Sequence, residues 1–113
     1  MGYNCVVDIK TEVRYVLTIT EIKSKLRPVF EKNNIQRAVL FGSYADEVAR
    51  VTSDVDLIVD NNGSPLGFSF FKIASECEEI LGASVDLYEF REIEPNTTLD
   101  YNIKTKGVLI YGS

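Results

Sequence analysis

A chain of 113 residues has room for one domain and none for a second, substrate-binding domain. Its 45% apolar content is that of an ordinary globular protein, and a net charge of −5 with scattered Lys and Arg argues against a nonspecific grip on nucleic acid. Cys5 and Cys77 lack zinc-site spacing and the chain has no histidine, so no zinc centre is expected; apolar runs of only a few residues predict no signal peptide, no membrane span and a cytoplasmic protein.

Residues 1–16 read as an N-terminal extension without an assigned role. Tyr3, Val6, Val7 and Ile9 suit one strand, and Val13, Tyr15, Val16 and Leu17 another; a disordered leader is the alternative. Thr18-Ile19-Thr20-Glu21 then has the form of a capping box. Ile22, Leu26, Val29 and Phe30 recur on one helical face. Pro28 lies inside that run and is expected to kink the helix or push its start later. Asn33-Asn34 marks the stop, since Asn tolerates a left-handed turn. Lys23, Lys25 and Arg27 read as a solvated helix face, with anion steering as the functional alternative.

Residues 35–41 form the next strand, ending in Leu40-Phe41-Gly42-Ser43. A Gly where a strand turns into a helix lets a phosphate approach the backbone, and Ser43 offers a hydroxyl and an N–H. Residues 44–50 are expected as a short helix whose N-terminus favours anions. After ten intervening residues comes Asp54-Val55-Asp56-Leu57-Ile58-Val59. Alternation on a strand puts Asp54 and Asp56 on one face and Val55, Leu57 and Val59 on the other. Two such carboxylates repel unless a cation lies between them, and Mg²⁺ takes hard oxygen ligands of this kind. Ser53 either orients Asp54 or does simple turn chemistry. Asp60 reads as a loop residue rather than a further ligand, before the turn at residues 61–65.

Phe70, Ala74, Cys77 and Leu81, with Ile73 and Ile80, mark a helix capped by Gly82, with Cys77 in the core. Phe68, Phe70 and Phe71 read as core rather than as an adenine-stacking shelf. On the strand at residues 84–89, Asp86 faces away from Val85 and Leu87, as Asp54 and Asp56 face away from their neighbours. A helical crossover makes the two Asp-bearing strands parallel neighbours, and a mixed sheet is equally permitted. Pro95-Asn96 starts a last helix, Gly107 ends it, and residues 108–111 suit an edge strand. Tyr101 and Tyr111 read as packing residues.

Gly-Ser, ten residues, Asp-x-Asp and a third Asp on a later strand resemble the minimal nucleotidyltransferase family of the DNA polymerase beta-like superfamily. The resemblance covers residues 17–112, from the opening helix at residues 17–22 to the closing segments Ile93-Glu94-Pro95-Asn96 and Gly107-Val108-Leu109-Ile110-Tyr111-Gly112. It implies the polymerase beta-like nucleotidyltransferase fold, an α/β (α+β) domain with a mixed central sheet and helices packed on it. It also implies metal-binding, catalytic roles for Asp54, Asp56 and Asp86, with Asp86 accepting the acceptor's proton, and phosphate contacts from Gly42 and Ser43. The cofactor would be Mg²⁺, as two ions, and the substrate ATP. Members of this family pair with HEPN-type ribonuclease toxins, so the resemblance implies an antitoxin that transfers AMP to a toxin tyrosine. The chain departs from many relatives by carrying Asp46-Glu47 in place of Arg-Gly, with Arg50 as the nearest replacement cation. That departure keeps open a non-catalytic binding module; a small-molecule nucleotidyltransferase acting as a homodimer is a third reading.

Overall fold

The computed structural model describes residues 16–112. The expected strands and leader within residues 1–15 lie outside the described residues, and residues 16–18 enter the first helix as irregular chain, with Leu17 buried. Helix α1, Ile19–Lys32, opens with the capping box: Glu21 N–H donates to Thr18 Oγ1 at 3.0 Å, and Thr18 N–H donates to Glu21 Oε1 at 2.9 Å. Ile22, Leu26, Val29 and Phe30 are buried. Pro28 stays inside α1 and does not delay its start. The ring sits on the exposed face, where water can solvate the carbonyl that loses its partner. Burying four apolar side chains, at about 1.5–3 kcal/mol each, outweighs the roughly 3 kcal/mol that an interior proline costs. Asn34, at φ 58°, makes the left-handed exit.

Strand β1, Arg37–Phe41, runs into α2, Gly42–Ala45. Strand β2, Val55–Asp60, leads through α3, Ser69–Leu81, to β3, Val85–Glu89. Helix α4, Thr98–Lys106, and β4, Val108–Tyr111, close the chain. The four strands lie in the order β3-β2-β1-β4. β1 is antiparallel to both β2 and β4, while β2 and β3 are parallel, so the sheet is mixed. The helix between β2 and β3 supplies the crossover that parallel strands need. One face of the sheet packs on α1 and α3 through Leu40, Val55, Leu57, Val59, Val85 and Leu87. On the other face Val39 and Ile58 meet Ile103 of α4, with Phe41, Phe90, Ile93 and Leu99 partly buried around them. This second cluster is small, so part of that face stays open.

Four expectations about helices and aromatic residues are corrected. The helix expected at residues 44–50 is one turn, Gly42–Ala45, because Glu47 adopts φ 60° and Val48 N–H bonds back to Ser43 O at 3.0 Å. Exposed Glu47 occupies a region where a Cβ costs about 1–2 kcal/mol. Glu47→Gly relieves that strain against a smaller loss of chain entropy, so the variant should be more stable by about 0.5–1 kcal/mol in urea titration. Phe68 and Phe71 are not core: they are 95% and 72% exposed, and only Phe70 packs on the core, edge-on to Phe71 at 5.4 Å. Phe68 precedes the helix, and Phe71 stands one residue, about 100°, around from Phe70. Tyr101 is exposed at 65%, whereas Tyr111 packs against Phe30 at 5.4 Å. Helix α4 starts at Thr98 rather than at Pro95-Asn96, because Asn96 is left-handed and Thr97 takes the cap, accepting from Asp100 N–H.

Gly82, at φ 67°, ends α3 as expected, and Cys77 is fully buried, its thiol pushed up to about 12 by burial and then by the charges of Glu76 and Glu78.

Candidate active site

The site lies on the open face of the sheet, where β2 and β3 begin and β1 ends. Two hydrogen bonds fix the starts of β2 and β3. Val55 N–H donates to Ser84 O at 2.9 Å, which draws the start of β2 to the start of β3. Val85 N–H donates to Glu78 Oε2 at 3.0 Å, which ties β3 to the last turn of α3. The resulting register places Asp86 beside Asp56, and Asp56 beside Phe41 on the antiparallel neighbour. Gly42 follows at once.

Asp56 and Asp86 share a side-chain hydrogen bond. Asp54 stands at the threshold of β2, exposed, and acts on Asp56 through its charge. Burial, then the charges of Asp86 and Asp54, push the half-buried Asp56 carboxyl up to about 6. Gly42 abuts the same carboxylate: it sits at φ 74°, and a Cβ there would lie 2.2 Å from Asp56 Oδ2. The glycine is thus required twice, for its backbone and for the room it leaves. Ser43 follows in the single turn of α2, whose first N–H groups have no partner inside the helix. One turn carries little macrodipole, so an anion here would be held by local N–H and hydroxyl groups.

Among the described residues no group of three or more His, Cys, Asp or Glu side chains is placed so as to hold a metal ion. The donor chemistry nevertheless fits a hard divalent cation. Asp56 and Asp86 share one hydrogen bond and Asp54 acts on Asp56, whose proton is held more tightly than usual where a cation would relieve the repulsion. The other acidic residue on this face is engaged elsewhere. Asp60 is the last residue of β2 rather than a loop residue; it pairs with Arg37 at 3.5 Å and accepts from Gly63 N–H at 3.1 Å. Ser53 does turn chemistry: its Oγ accepts from Arg50 N–H at 2.9 Å.

Two neighbours were not singled out by the sequence reading. Tyr88 lies two residues beyond Asp86 on the same face, and its ring meets Phe41 at 5.6 Å, edge to face. Burial, then the charges of Asp86, Asp56 and Asp54, raise the Tyr88 phenol above its ordinary value. Alternation from Asp86 was the signal for Tyr88. The second is Lys106. With Phe41, Gly42, Asp46, Leu99 and Asn102 it lines a cleft of about 230 Å³ between α4 and the Gly42 turn. Nothing local in the sequence announces it. A larger cavity, about 460 Å³, lies between α1 and β4 and includes Lys23 and Arg27. It borders the sheet edge opposite β3, away from the carboxylates. Lys23 and Arg27 are exposed and Lys25 is half-buried; Arg27 pairs with Glu31 along the helix, which suits a solvated face.

A small mixed sheet carrying Gly-Ser at one strand end and paired carboxylates at the next defines a nucleotidyltransferase domain. The family description "Polymerase beta, Nucleotidyltransferase" matches residues 24–113, and the chain belongs to that family. The chain is 35% identical over 79 residues to a Methanocaldococcus jannaschii protein named as a candidate protein adenylyltransferase, covering 70% of this chain and 85% of that one. It is 34% identical over 76 residues to the protein adenylyltransferase MntA of Thermococcus cleftensis, covering 64% and 77%. A chain in a crystal structure of a toxin–antitoxin with AMP-PNP superposes with a TM-score of 0.70 at 25% identity, over 80% of this chain and 73% of that one. A chain from a complex of tri-AMPylated Shewanella oneidensis HEPN toxin with MNT antitoxin shares the fold, with a TM-score of 0.65 at 22% identity over 85% and 74%. Among the described residues no helix is long and apolar enough to cross a membrane.

Proposed function

We propose that this chain is an ATP- and Mg²⁺-dependent protein adenylyltransferase that moves AMP onto a tyrosine hydroxyl of a HEPN-type toxin and so acts as its antitoxin in the cytoplasm, where ATP is plentiful. Residues 17–112 are the catalytic domain. The observation that carries this reading is the meeting of the Gly42 turn with the Asp56–Asp86 carboxylate pair. Relatives named protein adenylyltransferase and a like-folded partner in a toxin–antitoxin with AMP-PNP support the donor and the acceptor class.

Asp54, Asp56 and Asp86 would hold Mg²⁺, as two ions, which when bound offsets charge on the phosphoryl oxygens. Gly42 lets the distal phosphates come close to the backbone, and Ser43 donates to them through its N–H and hydroxyl. The acceptor phenol oxygen attacks the α-phosphorus; the bond to pyrophosphate breaks as the new P–O bond forms. Asp86, exposed at the rim, accepts the phenol proton. Asp54 and Asp56 are anions that would repel the phosphates on their own; their part would be to hold the Mg²⁺ whose positive charge offsets that of the phosphates, and positioned positive charge of this kind supplies most of the barrier lowering in such transfers.

The test uses α-labelled ATP with Mg²⁺, the purified chain and the protein encoded beside it. Label should move to that partner and be absent with the Asp54→Asn/Asp56→Asn chain. A stable complex without label would instead favour neutralisation by contact, a reading that the exposed acids Asp46 and Glu47 beside the Gly-Ser turn keep open. Label moving to a small hydroxyl compound and to no protein would favour the homodimeric small-molecule enzyme.

A further inference from the structure

The geometry points to Lys106 as the protein cation that receives the triphosphate of the nucleotide and the charge of departing pyrophosphate. This rests on the nucleotidyltransferase reading of the site and deepens it. Displacing pyrophosphate piles negative charge on the leaving oxygens, and a positioned cation there stabilises the transition state. The Gly42–Ser43 turn has no such cation of its own: the first charged residues after it are Asp46 and Glu47, both acidic and both exposed.

The other described cations are placed elsewhere. Arg27, Lys32, Arg37, Arg91 and Lys104 are taken up in ion pairs. Lys23 and Lys25 belong to α1 and Lys72 to α3, the two helices packed on the far side of the sheet. Arg50 belongs to the exposed turn before β2 and does not line the cleft beside Gly42.

Lys106 does line it. It is the last residue of α4 and exposed, and it is in none of the ion pairs among the described residues. Its flexible stem lets an ammonium placed across the cleft reach a phosphate at Gly42. Fixing its helix is straightforward: Ile103, one turn back, is buried against Val39 and Ile58 on the sheet, and Gly107 N–H closes the helix on Ile103 O at 2.9 Å. The same cleft has an apolar wall of Phe41 and Leu99, against which the less polar part of a nucleotide can lie. Asp46 faces the cleft too, so its charge opposes the phosphates and leaves the more work to Lys106.

The experiment compares Lys106→Ala, Lys106→Gln and Lys106→Arg with Lys104→Ala, a control two residues back on the same helix whose lysine is engaged by Asp100. Binding of Mg²⁺·AMP-PNP is measured by calorimetry, and KM for ATP and kcat by labelled transfer. A charge-assisted contact to phosphate should be visible as about tenfold weaker binding and higher KM for the Ala and Gln variants, with Arg within about threefold of the parent. Lys104→Ala should leave both unchanged. Parent-like binding by Lys106→Ala or Lys106→Gln, or equal weakening by Lys104→Ala, overturns the assignment. A parent chain that binds Mg²⁺·AMP-PNP but transfers no AMP would sink the adenylyltransferase reading while calorimetry still judges Lys106. A parent chain that binds no nucleotide overturns both.

Discussion

Asp56→Asn is expected to abolish AMP transfer and, in EDTA at neutral pH, to make the protein more stable than the parent. The two effects have one cause. Folding pushes the Asp56 carboxyl from 3.8 to about 6, through burial and then the charges of Asp86 and Asp54. The folded chain therefore holds this proton more tightly than the unfolded chain does. The contribution is fully present below pH 3.8, fades as the pH rises through about 6, and leaves ionised Asp56 unfavourable above that. A rise of this size is worth about 3 kcal/mol for a group sealed from water, and screening at a half-exposed site reduces it to about 1 kcal/mol. Asparagine keeps the shape and removes the charge. Urea titrations in EDTA at pH 5 and pH 7.5 should show the parent losing stability over that interval and the variant losing less. Mg²⁺ should raise the midpoint of the parent more than that of the variant, because ligand binding to the folded state stabilises it by mass action. A variant that is less stable than the parent at pH 7.5 in EDTA would show that the carboxylates do not strain one another.

Gly42→Ala is expected to lower AMP transfer about 100-fold or more while leaving a folded protein. The added Cβ would lie 2.2 Å from Asp56 Oδ2 and 3.1 Å from its Cγ, so the carboxylate must give up its position. Misplacing a reacting constellation by about 1 Å can cost about 100-fold in rate. The φ of 74° adds about 1–2 kcal/mol of backbone strain for any L side chain. Gly112→Ala separates the two effects. Gly112 has φ 81° and its Cβ would meet Gln36 O at 2.2 Å, a comparable strain at the edge of the sheet far from the carboxylates. It should lose stability and keep its activity per folded molecule. Equal losses of specific activity in the two variants would show that Gly42 matters for folding alone.

Much of the fold was legible because its signals are local. Thr18 and Glu21 sit three apart and cap each other whatever lies around them. Asn34 and Gly82 mark helix ends because left-handed backbone is cheap for those residues. Alternation put Asp56 and Asp86 on the faces of their strands turned away from the buried valines and leucines, with Asp54 just before β2. The misreadings come where burial depends on what an element meets. Phe68 and Phe71 look like core by helical spacing, yet no partner element lies over them among the described residues. The helix after Ser43 looks long enough by pattern, yet Glu47 turns left-handed and the chain must return to start β2.

The sequence by itself therefore determined which residue types are available and which side of a strand or helix each occupies, since periodicity and capping act within a few residues. The tertiary structure alone decided the register that sets Asp56 beside Asp86, the approach of Gly42 to Asp56, and the place of Lys106 across the cleft. Those contacts join residues 14 to 64 positions apart in the chain. They are set by the packing of α3 and α4 on the two faces of the sheet and by the Val55–Ser84 and Val85–Glu78 bonds, and no local rule of spacing contains them.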